Sequence, residues 1–114
     1  MIAPQKKPQA PDFEAQAASA AQLLKVLANE HRLLVLCHLL AAGETSVSVL
    51  VAKIGLSQSA LSQHLGRLRA DGLVTFRREA QTLFYRVSDE RAERLLAVLK
   101  DIFCPTLGTV SRPE

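Results

Sequence analysis

One stretch of the chain, residues 56–74, restricts the fold more than any other. Leu61, Leu65 and Leu68 recur at the spacing i, i+4, i+7, which places them on one side of a helix. We expect that side to face a hydrophobic core. The opposite side carries small or uncharged polar residues, namely Ser59, Ser62, Gln63 and Gly66.

The residues that precede this helix are typical of a helix-turn-helix pair. Gly55 can end the preceding helix, and Ser57 is a good N-cap for the next one. A second helix with short hydroxyl and amide side chains on its outer face can approach base edges in the major groove of DNA. The alternative is an amphipathic helix of an all-α domain without a nucleic-acid partner.

The length of 114 residues suits one domain with one core. No apolar run reaches the ~18 residues of a membrane span. The N-terminal residues lack the apolar stretch of a secretory signal, so we expect a cytoplasmic protein. The proline-rich residues 1–11 predict a disordered tail, residues 12–104 the folded domain, and residues 105–114 a flexible C-terminal tail.

The pattern along the chain predicts a mainly α fold with a small β-hairpin. Helices are expected over residues 12–27, 30–41, 47–54 and 57–71, and from Ser88 or Asp89 to Phe103. Residues 73–78 and 83–87 have the composition of strands, and the linker between them has the length of a hairpin turn. Helices, a helix-turn-helix pair and a hairpin in this order form the plan of a winged helix-turn-helix domain, in which the hairpin is the wing.

Positive charge is concentrated in the middle of the chain. Residues 57–87 contain five arginines against Asp71 and Glu79. A basic middle in an otherwise neutral or acidic chain suggests contact with a polyanion, although a solvated surface is the alternative. The predicted DNA contacts are Gln58, Ser59, Ser62, Gln63, His64 and Arg67 on the helix, and Arg77, Arg78, Gln81 and Arg86 on or beside the hairpin.

The first and last helices have wide apolar stripes for such a small domain. In the last helix the apolar positions are Leu95, Leu96, Val98, Leu99 and Ile102. Apolar surface that one chain does not cover is commonly covered by a second copy. We therefore expect a homodimer whose two recognition helices meet half-sites one helical turn apart, roughly 34 Å.

Four segments together resemble the ArsR family of bacterial repressors. They are LKVLANEHRL at 24–33, LSQSALSQHL at 56–65, LRADGLV at 68–74 and RREAQTLFYR at 77–86. The resemblance implies a winged-helix homodimer that binds operator DNA and releases it when an inducer binds. The family often has glycine at the tip of the wing, where this chain has Ala80.

Neither of the metal sites common in that family has its usual donors here. Residues 45–50, where many members have two cysteines, contain none, and the last helix has Asp89 and Asp101 but no histidine. We therefore expect neither a metal nor another cofactor. The candidates for sensing are two cysteines, Cys37 in the second helix and Cys104 at the end of the last.

The surroundings of these cysteines are similar to those in the persulfide-responsive subgroup of the family, the SqrR and BigR type of repressor. The residues concerned are 36–40 around Cys37, the recognition helix, and Phe103 followed by Cys104. The resemblance implies a repressor, not an enzyme, that binds its operator while both thiols are reduced. Reactive sulfur species bridge the thiols as a polysulfide, the operator is released, and sulfide-detoxification genes are expressed.

Two alternatives remain open at this point. One is a general redox repressor that responds to disulfides or peroxide, and the other is a constitutive DNA-binding protein with inert cysteines. Reaction with persulfides requires thiolate character, which a nearby cation favours. The candidate cations are Arg32, His38 and Lys100.

Overall fold

The computed structural model describes residues 9–103, with side chains from Asp12 onward. Within this range the elements are α1 (Gln9–Leu27), α2 (Glu30–Ala42), β1 (Thr45–Ser46), α3 (Val47–Ile54), α4 (Gln58–Ala70), β2 (Val74–Glu79), β3 (Thr82–Val87) and α5 (Glu90–Phe103). The protein is mostly helical with a small antiparallel sheet. The predicted winged helix-turn-helix fold is therefore confirmed.

The sheet has one more strand than the sequence predicts. The two-residue strand β1 pairs antiparallel with β3, with Thr45 opposite Tyr85 and Ser46 opposite Phe84. The strand order is β1-β3-β2, so the wing strand β3 lies in the centre. Two residues are too few to show the alternating pattern by which a strand is recognised in a sequence.

The first helix begins earlier than expected. It starts at Gln9 instead of Asp12, inside the stretch that the sequence assigns to a tail. Proline is tolerated in the first turn of a helix because the N–H group it lacks has no partner there. Residues 1–8 and the predicted tail 105–114 lie outside the described residues, so both tails stay predictions.

Local side-chain chemistry sets the ends of the helices. The Asn29 side chain accepts hydrogen bonds from the backbone N–H groups of His31 and Arg32 at 3.0 and 3.1 Å. Ser57 caps α4 in the same way, at 3.1 Å from the N–H of Ala60. Gly55 ends α3 in the left-handed conformation, with φ of 89°. Asp89, rather than Ser88, caps α5.

The core is built around α2, which packs against α1, α3, α4, α5 and β3. Its residues Val35, Leu36 and Leu39 are fully buried. The other buried apolar side chains are Val26, Leu27, Leu50, Leu61, Leu65, Leu68, Leu73, Val74, Tyr85, Ala92 and Leu96. None of the helices in residues 9–103 has both the length and the apolar character needed to cross a bilayer.

The tip of the wing contains a residue in a conformation that suits glycine better. Ala80 has φ of 57°, which places it in the left-handed region. That region costs an L-residue roughly 1–2 kcal/mol, and glycine avoids this cost but loses more backbone entropy on folding. We expect Ala80→Gly to raise the free energy of unfolding by roughly 0.5 kcal/mol, measured by urea denaturation.

For a matched variant we expect a change of the opposite sign in the free energy of unfolding. Ala52 is exposed within α3, and Ala52→Gly should lower the free energy of unfolding by about 0.5–1 kcal/mol. If both glycine variants lowered the free energy of unfolding alike, the left-handed conformation of Ala80 would not be a source of strain in the wing.

Candidate nucleic-acid interface and thiol groove

The second helix of the helix-turn-helix pair, α4, separates its core side from its outer side clearly. Leu61, Leu65 and Leu68 are 0, 1 and 0 % exposed. They hold the helix against α2, α3 and β2. The outer side presents four of the predicted DNA contacts to solvent, Gln58, Ser59, Ser62 and Gln63. These side chains are short and uncharged, as close approach to base edges requires.

His64 differs from these four because it lies at the edge of the buried side. It is half-buried, and its ring centroid is 5.7 Å from that of His31 at the start of α2. Burial lowers the pKa of His64 below its ordinary value, and the positive charge of Arg32 and the His31 ring lower it further. The lowered pKa disfavours the charged imidazolium that a phosphate contact would use.

The arginines of α4 make contacts within the protein. Arg67 donates from Nε to a carboxylate oxygen of Asp71 at 2.9 Å, one helical turn later. The guanidinium of Arg69 lies over the ring of Phe76 on β2, 4.3 Å from its centroid. Arg67 is exposed and its Nε is already occupied by Asp71, and its role as a DNA contact stays a prediction.

The predicted contacts on the wing fall into two groups. Arg78, Gln81 and Arg86 are exposed. Among the residues that the structure describes, Arg78 and Arg86 form no ion pair. Arg77 belongs to the second group, because carboxylates surround its guanidinium.

Glu44 and Glu79 together occupy three of the five N–H donors of Arg77. Nε and one terminal nitrogen of Arg77 donate to the two carboxylate oxygens of Glu44 at 2.9 and 3.1 Å. The other terminal nitrogen donates to Glu79 at 3.2 Å. The guanidinium carbon also lies 4.7 Å from the ring centroid of Phe84. The hydrogen bonds that Arg77 donates to Glu44 and then to Glu79 raise its pKa above the ordinary value.

Sequence reasoning missed Glu44. It lies 33 residues from Arg77 and approaches it only because β1 joins the sheet beside β3. No local spacing indicates that contact, since the strand that creates it is itself too short to recognise.

Cys37 opens into a groove between α2 and α5. The groove has a volume of about 470 Å³ and is mostly apolar. Its lining residues are Cys37, Leu40 and Ala41 from α2, and Glu93, Leu96, Ala97 and Lys100 from α5. Cys37 itself is half-buried, so a small reagent in the groove reaches it without unfolding of the core.

Of the three cations expected near the thiols, the structure places Lys100 in the groove with Cys37. Arg32 is engaged elsewhere, since a terminal nitrogen donates to the backbone carbonyl of Val26 at 2.9 Å. Cys104, the second predicted sensing residue, lies outside the described residues.

Comparisons with known proteins agree with this architecture. Residues 29–75 match the pattern described as "Bacterial regulatory protein, arsR family". The chain is 48% identical over 93 residues to the transcriptional activator HlyU of Vibrio cholerae, an alignment covering 82% of this chain and 85% of the relative.

Two crystal structures are similar over most of their length. The transcriptional regulator HlyU from Vibrio vulnificus has a TM-score of 0.79 at 49% identity, covering 84% of this chain and 99% of that one. The transcriptional repressor BigR from Xylella fastidiosa has a TM-score of 0.77 at 40% identity, covering 88% and 98%. The chain therefore belongs to the arsR family of bacterial regulatory proteins, which are DNA-binding transcriptional regulators and not enzymes.

Proposed function

We propose that this regulator is a cytoplasmic homodimeric repressor that binds operator DNA while Cys37 and Cys104 are reduced. Persulfides bridge the two thiols as a polysulfide, the operator is released, and genes for sulfide detoxification are expressed. The observation that carries the proposal is the groove in which Cys37 and Lys100 lie between the core helix α2 and the terminal helix α5. A bridge made there would tie α5 to α2, the helix that packs against α1, α3, α4 and β3.

The exposed side of α4 and the wing support the DNA-binding part. Ser59, Ser62 and Gln63 offer donors and acceptors for base edges, and Arg78 and Arg86 offer charge for phosphates. The two kinds of contact have different roles, because base contacts carry sequence information whereas phosphate contacts fix register and orientation.

Exposed apolar side chains on the first and last helices support the dimer. On α1, Phe13 and Leu24 are 73 and 54 % exposed. On α5, Val98, Ile102 and Phe103 are 53, 62 and 74 % exposed. A second copy of the chain would remove this surface from water, and two-fold symmetry would then present two α4 helices to one DNA duplex.

The chemistry of the bridge balances without an external oxidant. The Cys37 thiolate attacks the outer sulfur of a persulfide RSSH, takes that sulfur, and releases the thiol RSH. After a second transfer Cys37 carries two added sulfurs. The Cys104 thiolate attacks the inner of the two and expels the terminal one as hydrosulfide, which leaves a trisulfide. The persulfide sulfur is reduced to sulfide as the two thiols are oxidised.

The length of a polysulfide bridge also provides a way to discriminate persulfides from peroxide. A direct disulfide requires Cα atoms within about 7 Å, whereas a chain with additional sulfurs spans a wider gap. A site held slightly too wide for a disulfide would therefore respond to persulfides and not to peroxide. The positive charge of Lys100 in the groove attracts the persulfide anion.

Intact-mass measurement of the reduced protein tests the proposal. The protein is treated without oxygen with an organic persulfide and, separately, with peroxide or a plain disulfide. We expect persulfide to add one or two sulfur atoms that bridge Cys37 and Cys104, while the other reagents leave the dithiol unchanged. A common loss of two hydrogens with all reagents would support the general redox repressor instead, and no reaction would support inert cysteines.

Base reading by α4 leads to a further prediction. Gln63→Ala should weaken operator binding by about 1–3 kcal/mol, the usual value of a good base contact, and leave binding to unrelated duplexes almost unchanged. Fluorescence anisotropy with both DNAs at one salt concentration measures the difference. Equal weakening on both DNAs would assign Gln63 to the backbone and base reading to other residues.

A further inference from the structure

Arg77 differs from the other wing arginines because two carboxylates occupy three of its five N–H donors in the protein without DNA. Glu44 binds it in bidentate fashion at 2.9 and 3.1 Å, and Glu79 adds a contact at 3.2 Å. The three side chains together carry one net negative charge. This group therefore attracts an approaching phosphate less than Arg78 does, which forms no ion pair among the described residues.

The position of Glu44 is fixed by the backbone around it. It follows α2 after Gly43 and comes directly before β1, whose Thr45 pairs with Tyr85 in the central strand. Glu44 thus lies at the edge of the sheet and reaches across β3 to Arg77 on β2. Its side chain is 32 % exposed and that of Arg77 is 52 % exposed, so water and a DNA phosphate both have access to the ion pair.

We infer that Glu44 competes with DNA phosphates for Arg77 and so keeps the affinity of this regulator for DNA below what its wing arginines would otherwise give. The inference rests on the proposed DNA binding through the wing. While Glu44 holds Nε and one terminal nitrogen of Arg77, the guanidinium cannot pair with a phosphate through that side, so the wing makes one strong phosphate contact fewer than its arginines could supply. Weaker binding of this kind favours release when the inducer acts.

Ion pairs between exposed side chains contribute little net stability, which limits the size of the effect. We expect Glu44→Gln to tighten DNA binding by roughly 1.5- to fivefold for each wing that binds. Because the phosphate contact is independent of sequence, the same gain should occur on an arbitrary duplex. A new phosphate contact also makes the dependence of log K on log salt steeper, by about 0.9 for each wing that binds.

The measurement uses the full chain and a fluorescein-labelled duplex of arbitrary sequence, about 30 base pairs long, which accommodates two half-sites. Anisotropy titrations at several salt concentrations give both affinity and salt slope. Glu44→Ala is measured beside Glu44→Gln, since the glutamine amide oxygen can still accept a hydrogen bond from Arg77. Thermal unfolding of each variant verifies that the fold is intact.

Two comparisons separate the inference from a simple change of net charge. Glu79→Gln removes the same charge from the same corner but leaves the bidentate pair in place, so its effect should be less than half as large. In an Arg77→Gln background, Glu44→Gln should no longer tighten binding. An equal effect of Glu79→Gln, a gain that persists without Arg77, or an unchanged salt slope would each overturn the inference.

The same titrations distinguish this inference from the proposed function. If the reduced wild-type protein bound no duplex at all, DNA binding itself would be wrong. If it bound with normal salt dependence while both Glu44 variants matched it, only the role assigned to Glu44 would be wrong.

Discussion

A Cys37→Ser variant is expected to bind DNA as tightly as the reduced wild-type protein and to stay bound after addition of a persulfide. The wild-type protein should lose on the order of tenfold to hundredfold in affinity under the same treatment, the usual range for coupling between two sites. Serine has nearly the shape of cysteine but forms no polysulfide. Since Cys37 is half-buried beside the groove, this change alters the chemistry with little effect on the core.

Anisotropy of a labelled operator before and after anaerobic persulfide treatment measures this response. Cys104→Ser is the matched variant, because it removes the other end of the bridge and leaves Cys37 able to carry sulfur. Both variants should remain on DNA if the bridge is the signal. Release of the Cys104→Ser variant would show that modification of Cys37 is enough, and release of the Cys37→Ser variant would place the sensor elsewhere.

A second large change, in the free energy of unfolding, is expected for a substitution on the core side of α4. Leu65→Ala should lower the free energy of unfolding by about 2–5 kcal/mol, because Leu65 is 1 % exposed and its removal leaves a cavity under the helix. Domains of this size are commonly stable by about 5–15 kcal/mol, so the variant loses a large part of its stability. Urea denaturation at one fixed protein concentration measures the loss, since formation of the proposed dimer would contribute to stability.

Gln63→Ala is a control on the same helix. Its side chain is exposed, so the free energy of unfolding should change by less than about 0.5 kcal/mol. We therefore expect Leu65→Ala to lower stability and Gln63→Ala to weaken operator recognition. A cost below about 1 kcal/mol for Leu65→Ala would mean that α4 is held mainly by other contacts.

Much of this architecture is readable from the sequence because its signals are local. The caps at Asn29 and Ser57 act within three residues, and the leucine spacing of α4 reflects one helical period. The bounds of α3, Val47–Ile54, are those that the sequence predicts. The exposed positions Ser59, Ser62 and Gln63 follow from the same periodicity once the buried side of the helix is known.

The differences arise where residues distant in sequence meet. The sequence assigns Arg77 to phosphate, but the pairing of β1 with β3 brings Glu44 to it from 33 residues away. The spacing of His64 indicates partial burial, although its polar side chain suggests a surface position. It lies three residues after Leu61 and four before Leu68, which places it beside the buried stripe and against α2.

The separation of the two sides of α4 affects how the protein can evolve. Leu61, Leu65 and Leu68 hold the helix in place, and none of them belongs to the outer surface. Substitutions at Ser59, Ser62 or Gln63 therefore change stability little, and a duplicated gene can acquire a new operator without first gaining a more stable core. In the proposed mode of DNA binding, recognition and folding depend on different residues of one short helix, so each can change without constraining the other.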